Sequence, residues 1–172
     1  MVYNYKIKVK LKGFEKQIKR TFIINDNVKI NDFCEAIITS MNGCLEHLYT
    51  LKYKDNYYIC DYMDKNDYNE IKMNSLRISK LMLEEKDKLE LIYDFEDNWI
   101  FKMSVAKVIL GHNDKNIELI DGIGKGIEED CGGTWGLIDL IDDKDNNWNY
   151  DYDDFDINRI NDELDKTYNV KK

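Results

Sequence analysis

The 172-residue chain contains no proline, which excludes cis-prolyl turns and polyproline segments. Cysteine is sparse. Cys34, Cys44, Cys60 and Cys131 form no CxxC pair, so a zinc ribbon is not supported. They read as free thiols, buried or partly buried. Histidine is sparser still: His47 and His112 lie far apart, in neither HxxxH nor HExxH spacing. A histidine-based zinc site would need both of them plus carboxylates. No apolar run approaches the ~20 residues that cross a bilayer. The opening Met1–Lys6 lacks the apolar core of a signal peptide, so the expected setting is the cytoplasm, with no membrane partner.

Apolar residues are not lacking. They make up 43% of the chain and aromatics 12%, too many for a disordered polymer and enough for a core. One domain over residues 1–172 is expected. The net charge of −9 argues against extensive coating of nucleic acid. The charge is unevenly placed. Residues 1–30 carry eight bases and two acids, and residues 139–165 carry eleven acids and two bases. Opposite patches follow, either as solvated faces or as a field that steers a charged partner.

Tyr3, Tyr5, Ile7, Val9 and Leu11 alternate with Asn4, Lys6, Lys8, Lys10 and Lys12. That period of two predicts a strand with one buried and one lysine-covered face. Gly13 ends it, and Ile18–Ile24 reads as its antiparallel partner. Ile30, Phe33, Cys34, Ile37, Ile38 and Met41 recur at helical spacing, with Asp32 near the positive N-terminal end. Leu48–Tyr53 and Tyr57–Cys60 predict a hairpin, and residues 61–75 a surface loop. Leu76–Leu83 gives one or two helical turns. Lys88–Phe95 and Trp99–Val105 predict a second hairpin with longer arms. Residues 111–117 read as a polar connection and Gly122–Gly126 as a flexible stretch. Two short helices close the chain, Thr134–Ile141 capped by Thr134 and Phe155–Leu164 with Asp156 as a possible cap. Tyr168–Lys172 should fray. The expected fold class is α+β: a bent antiparallel sheet of two or three hairpins with one main amphipathic helix and short C-terminal helices.

Two motif-like strings carry little weight. Gly122, Gly124 and Gly126 have the wrong spacing for a dinucleotide fingerprint. Asp143, Asp145, Asn147, Asp151 and Asp154 echo an EF-hand loop, but Trp148 stands at the glycine position and Asp154 at the glutamate, so this reads as an accidental acidic loop.

Two other segments say more: Tyr93-Asp94-Phe95-Glu96-Asp97-Asn98-Trp99 and Glu128-Glu129-Asp130-Cys131-Gly132-Gly133-Thr134-Trp135-Gly136. Together they resemble the plasmid pRiA4b Orf-3-like family, in which a YDFGD-x-W-x-H hairpin precedes a PPEDCGG-x-x-GY segment. The opening Leu11–Phe22, with Ile18 and Arg20, resembles the family's strand–IWRR–strand start. His47-Leu48 resembles its HL step, and Asp154-Phe155 with Asn161 and Leu164 its closing helix. The chain departs from the pattern at Glu96 for glycine, Phe101 for histidine and Gly126-Ile127-Glu128 for the prolines. Lys19 stands at the tryptophan. If that histidine were catalytic, this chain should have lost the activity. The resemblance implies an α+β fold with a strongly bent sheet, and no settled biochemistry.

The two segments form the candidate site: Asp94, Asp97, Trp99, Glu129, Asp130, Cys131, Gly132, Gly133 and Trp135. Read structurally, the aspartates cap turn amides, Trp99 anchors the hairpin and the double glycine latches against it. Read functionally, four converging carboxylates would hold a hard cation or act as general acid and base. Three functions compete. The first is a noncatalytic protein-binding module, in the mobile-element or defence setting the resemblance suggests, supported by 12 Tyr and 3 Trp. The second is a metal-dependent hydrolase using the clustered acids. The third is nucleic-acid contact through Lys6, Lys8, Lys10, Lys12, Lys19 and Arg20, or its mirror, mimicry of nucleic acid by residues 139–165. No cofactor and no particular metal ligand set is expected.

Overall fold

A computed structural model describes residues 1–143 and 149–170. Eight strands form one sheet: β1 Tyr3–Leu11, β2 Lys19–Asn25, β3 Tyr49–Tyr53, β4 Asn56–Ile59, β5 Glu70–Lys72, β6 Lys88–Tyr93, β7 Trp99–Leu110 and β8 Ile117–Ile123. Their order is β5-β4-β3-β6-β7-β1-β2-β8. Three hairpins (β1–β2, β3–β4, β6–β7) are antiparallel. The sheet is larger than two or three hairpins, because two further strands close its edges. β5 arises within the supposed 61–75 loop and pairs parallel to β4. β8 arises from the polar connection and the glycine stretch and pairs with β2.

Side-chain alternation sorts the sheet into two faces. Tyr5, Ile7, Val9 and Leu11 of β1 are buried with Phe22 and Ile24 of β2, Leu89, Leu91 and Tyr93 of β6, and Trp99, Phe101 and Met103 of β7. The helix α1, Ile30–Ser40, buries Phe33, Cys34, Ile37 and Ile38 in the same core. Its Glu35 accepts a 2.7 Å hydrogen bond from the Tyr49 hydroxyl. Two register shifts, at Lys6/Ile7 against β7 and Thr21/Phe22 against β8, interrupt the ladder, and such bulges sharpen local twist.

The helices α2, Gly133–Asp142, and α3, Ile157–Tyr168, follow β8. Asp156 caps α3 by accepting from the amides of Asn158 (2.9 Å) and Arg159 (3.1 Å). Thr134 does not cap α2, which begins after Gly132 with no side-chain cap. The chain end is tied down up to Asn169 rather than frayed. Asn161 and Asn169 each offer one oxygen and one amide to the backbone of Leu119 and Ile117. They continue the ladder beyond edge strand β8 and leave it little to offer another chain. Asp145, Asn147 and Trp148 of the EF-hand echo fall on residues 144–148, outside the described residues. Among the described residues, no helix is long and apolar enough to cross a membrane.

Candidate functional site

The β6–β7 turn and the Glu128–Gly133 loop meet in space. The Gly132 amide donates to Asp97 Oδ2 at 3.3 Å. Gly133 has φ +68°, and a Cβ there would lie 2.3 Å from the Asp97 carbonyl oxygen. Gly136 closes the loop on itself, since a Cβ would sit 1.7 Å from the Cys131 carbonyl oxygen. Only glycine permits these approaches, so the double glycine is a latch on the hairpin turn.

The latch brings two carboxylates to a common point, and a histidine completes the group. His47 Nε2 lies 3.7 Å from Asp94 Oδ2, 3.7 Å from Glu129 Oε2 and 3.4 Å from Asp130 Oδ1. Donor atoms of His47, Asp94 and Glu129 all fall within 4.8 Å of one another. The three come from the segment before β3, the end of β6 and the loop before α2.

Each acid is oriented by hydrogen bonds to its other oxygen. Asp94 Oδ1 accepts from the amides of Glu96 (3.1 Å) and Asp97 (3.4 Å), leaving Oδ2 toward His47. The Asp94 side chain is only 5% exposed. Glu129 Oε1 accepts from the Cys44 amide (2.7 Å) and the Tyr93 hydroxyl (2.8 Å). Glu129 Oε2 is buried and has no hydrogen-bond partner. Burial, then the bond to Glu129, pushes the Tyr93 phenol far up, so it stays a donor. The Tyr93 ring also meets the His47 imidazole edge-on, with centroids 5.8 Å apart. Asp130 is the open side of the group, 75% exposed. Asp94 and Asp130 both hold left-handed backbone, φ 58° and 57°, a conformation aspartate tolerates better than most residues.

The remaining candidates fall elsewhere. Asp97, Gly132 and Gly133 belong to the latch. Trp99 is fully buried in the core. The Cys131 thiol is pushed up to about 11, first by burial and then by Asp97 and Glu128, which makes it a poor nucleophile. Cys34 and Cys60 are buried as expected, whereas Cys44 is exposed. Trp135 stands 80% exposed. Phe101, at the family's histidine position, is fully buried. Lys8, Lys10, Lys12 and Lys19 are exposed and Lys6 is half-buried.

Arg20 is not a surface cation and has no face for nucleic acid. It is 1% exposed. Its Nε donates to the Ser40 carbonyl, Nη1 to those of Lys19 and Ile123, and Nη2 to those of Gly124 and Lys125, at 2.8–3.1 Å. Its guanidinium carbon lies 4.5 Å from the centre of the Phe155 ring. Burial lowers its pKa to about 10.

Sequence spacing alone places His47 in no ligand set. Spacing rules find ligands on one helix or loop, and this group draws on three remote segments. The visible signal was the HL step standing with the two acidic segments.

No curated protein matches the sequence. The crystal structure of MM3350, a protein of unknown function from Methanosarcina mazei Go1, superimposes with a TM-score of 0.79 at 20% identity, covering 92% of this chain and 96% of that one. That likeness is one of fold. The family model described as plasmid pRiA4b ORF-3-like protein matches residues 3–170, and the chain therefore belongs to that family.

Proposed function

We propose that the protein binds a divalent cation at His47, Asp94 and Glu129, and that this centre serves metal-dependent hydrolysis. The carrying observation is the convergence of three donor atoms within 4.8 Å, one of them a buried carboxylate oxygen without a partner. The 3.7 Å separations of His47 from Asp94 and from Glu129 are too long for hydrogen bonds. They suit edges of a coordination shell, since ligands ~2.1 Å from a tetrahedral ion lie about 3.4 Å apart. The electrostatics agree. Three carboxylates face one imidazole, so the group stays negative even with His47 protonated. Among the described residues, no lysine or arginine pairs with these acids. Mixed imidazole and carboxylate donors favour Zn²⁺ or Mn²⁺ over Mg²⁺ and Ca²⁺. Three protein ligands with an open side resemble catalytic rather than structural zinc sites, and Asp130 sits at that opening.

A second reading is a noncatalytic protein-binding module. Its support is the exposure of Phe95 (48%) and Trp135 (80%) on the two segments that build the site. Such aromatics are favoured anchors for a partner.

Calorimetric titration of Zn²⁺, Mn²⁺ and Mg²⁺ separates the readings. Zn²⁺ or Mn²⁺ should bind with Kd of about 10 μM or tighter, and His47→Ala should weaken this ~100-fold. Glu129→Gln keeps an acceptor for Tyr93 and the Cys44 amide while removing charge. It should raise the Tm of the metal-free protein and abolish the rise in Tm that metal gives the wild type. No heat and no Tm shift with any of the three ions would remove the metal reading.

A further inference from the structure

A second surface is independent of the metal site. Strands β7, β1 and β2 lie side by side in the sheet, with β2 next to edge strand β8. The chain has 34 acidic residues in 172, yet these three strands contain none. On their open face, away from α1, stand Lys6, Lys8 and Lys10 of β1, Lys19 of β2, and Lys102 and Lys107 of β7. Strand register places several directly opposite one another. Lys10 faces Lys19 on one side and Lys102 on the other, and Lys6 faces Lys107. Like charges in direct cross-strand register oppose folding. The nearest relief is Glu15, 3.6 Å from Lys102, and Glu90, opposite Lys102 on β6. Across β1, β2 and β8 the face dips into a depression of about 180 Å³ whose lining includes Lys8, Lys10, Lys19, Thr21 and Asp121.

We propose that this open lysine face is a sequence-independent docking track for the sugar–phosphate backbone of single-stranded nucleic acid. A charge repulsion built across three adjacent strands asks for an anion to neutralise it. Lys6, Lys8 and Lys10 repeat at every second residue, about 6.7 Å apart along the strand, so the charges form a line rather than a spot. That suits an extended phosphodiester chain better than a single anion. The three strands present no aromatic side chain on this face for base stacking, which leaves backbone contact without sequence preference. Glu15, Glu90 and Asp121 border this face, and the other acids that set the net charge of −9 lie on other elements.

The test is fluorescence anisotropy with a fluorescein-labelled oligothymidylate of about 20 nucleotides. The protein is wild type or the triple variant Lys8→Gln, Lys10→Gln, Lys19→Gln, whose side chains are exposed and whose fold circular dichroism verifies. Wild type should bind at low salt, and the triple variant at least ~10-fold more weakly. The slope of log K against log salt should fall by about 2, at roughly 0.7 per phosphate contact. Polyglutamate and phosphatidylserine vesicles run alongside as rival polyanions. Absence of oligonucleotide binding at low salt overturns the proposal. So does equal binding by the triple variant, or equally lysine-dependent and equally tight binding of either rival.

Discussion

Arg20 and the His47 group are both charged, both largely enclosed and both built from segments remote in sequence. They differ in what is left over. Arg20 has five N–H donors, and five carbonyl oxygens receive them. The cation has no free bond to give, and it joins the end of α1, the start of β2 and the Ile123–Lys125 segment. The His47 group is the reverse. Its acids have their outer oxygens satisfied and their inner ones facing a single imidazole beyond hydrogen-bond distance. A buried charge whose bonds are complete is architecture. A buried charge with an oriented atom left unpaired leaves a place for a ligand.

The largest expected effect breaks the comparison from the Arg20 side. Arg20→Met keeps much of the apolar stem and leaves five carbonyls without their donors. Stability should fall by at least ~3 kcal/mol, a large part of a typical total of about 5–15 kcal/mol. Urea unfolding followed by circular dichroism measures it. A midpoint matching wild type would mean that the carbonyl cage is incidental.

Gly133→Ala sharpens the other side. The added Cβ meets the Asp97 carbonyl at 2.3 Å in a left-handed residue, so the latch must open or distort. The cost should be about 2 kcal/mol. Asp94 and Glu129 lie on opposite sides of that contact, so Zn²⁺ affinity should weaken in the same variant. Thermal melts with and without Zn²⁺ read both effects. Lost stability with unchanged affinity would show that the latch does not position the site.

The fold was legible wherever one residue's surroundings repeat along the chain. The alternation in Tyr3–Leu11 and the helical stripe from Ile30 to Met41 are of that kind. β8 was hidden because its pairing shifts register beside Thr21/Phe22 and its end carries Gly122, so the period breaks in the middle. β5 is three residues long, too short for any period. Arg20 read as a surface cation beside Lys19, although Ile18, Arg20, Phe22 and Ile24 share one parity and three of them are plainly buried types. The alternation already assigned its face, and the charge obscured it. Of the site, the acidic segments were legible and the histidine was not, because its partners are neighbours only after the sheet has formed.

The smallest effect concerns an acid whose bonds are local. Asp156 accepts from Asn158 and Arg159 through one oxygen and lies at the positive end of α3, where a carboxylate is favoured. It is exposed, so water serves its second oxygen, as burial prevents at Glu129. Asp156→Ala should therefore cost only about 1 kcal/mol, the ordinary loss of a helix cap. Asp156→Asn should recover most of it, because the amide oxygen still accepts. Neither change should alter Zn²⁺ affinity, measured by calorimetric titration. Should Asp156→Ala weaken Zn²⁺ binding as Glu129→Gln does, the division between complete and incomplete carboxylates would fail, and the acids would be acting as one diffuse negative field.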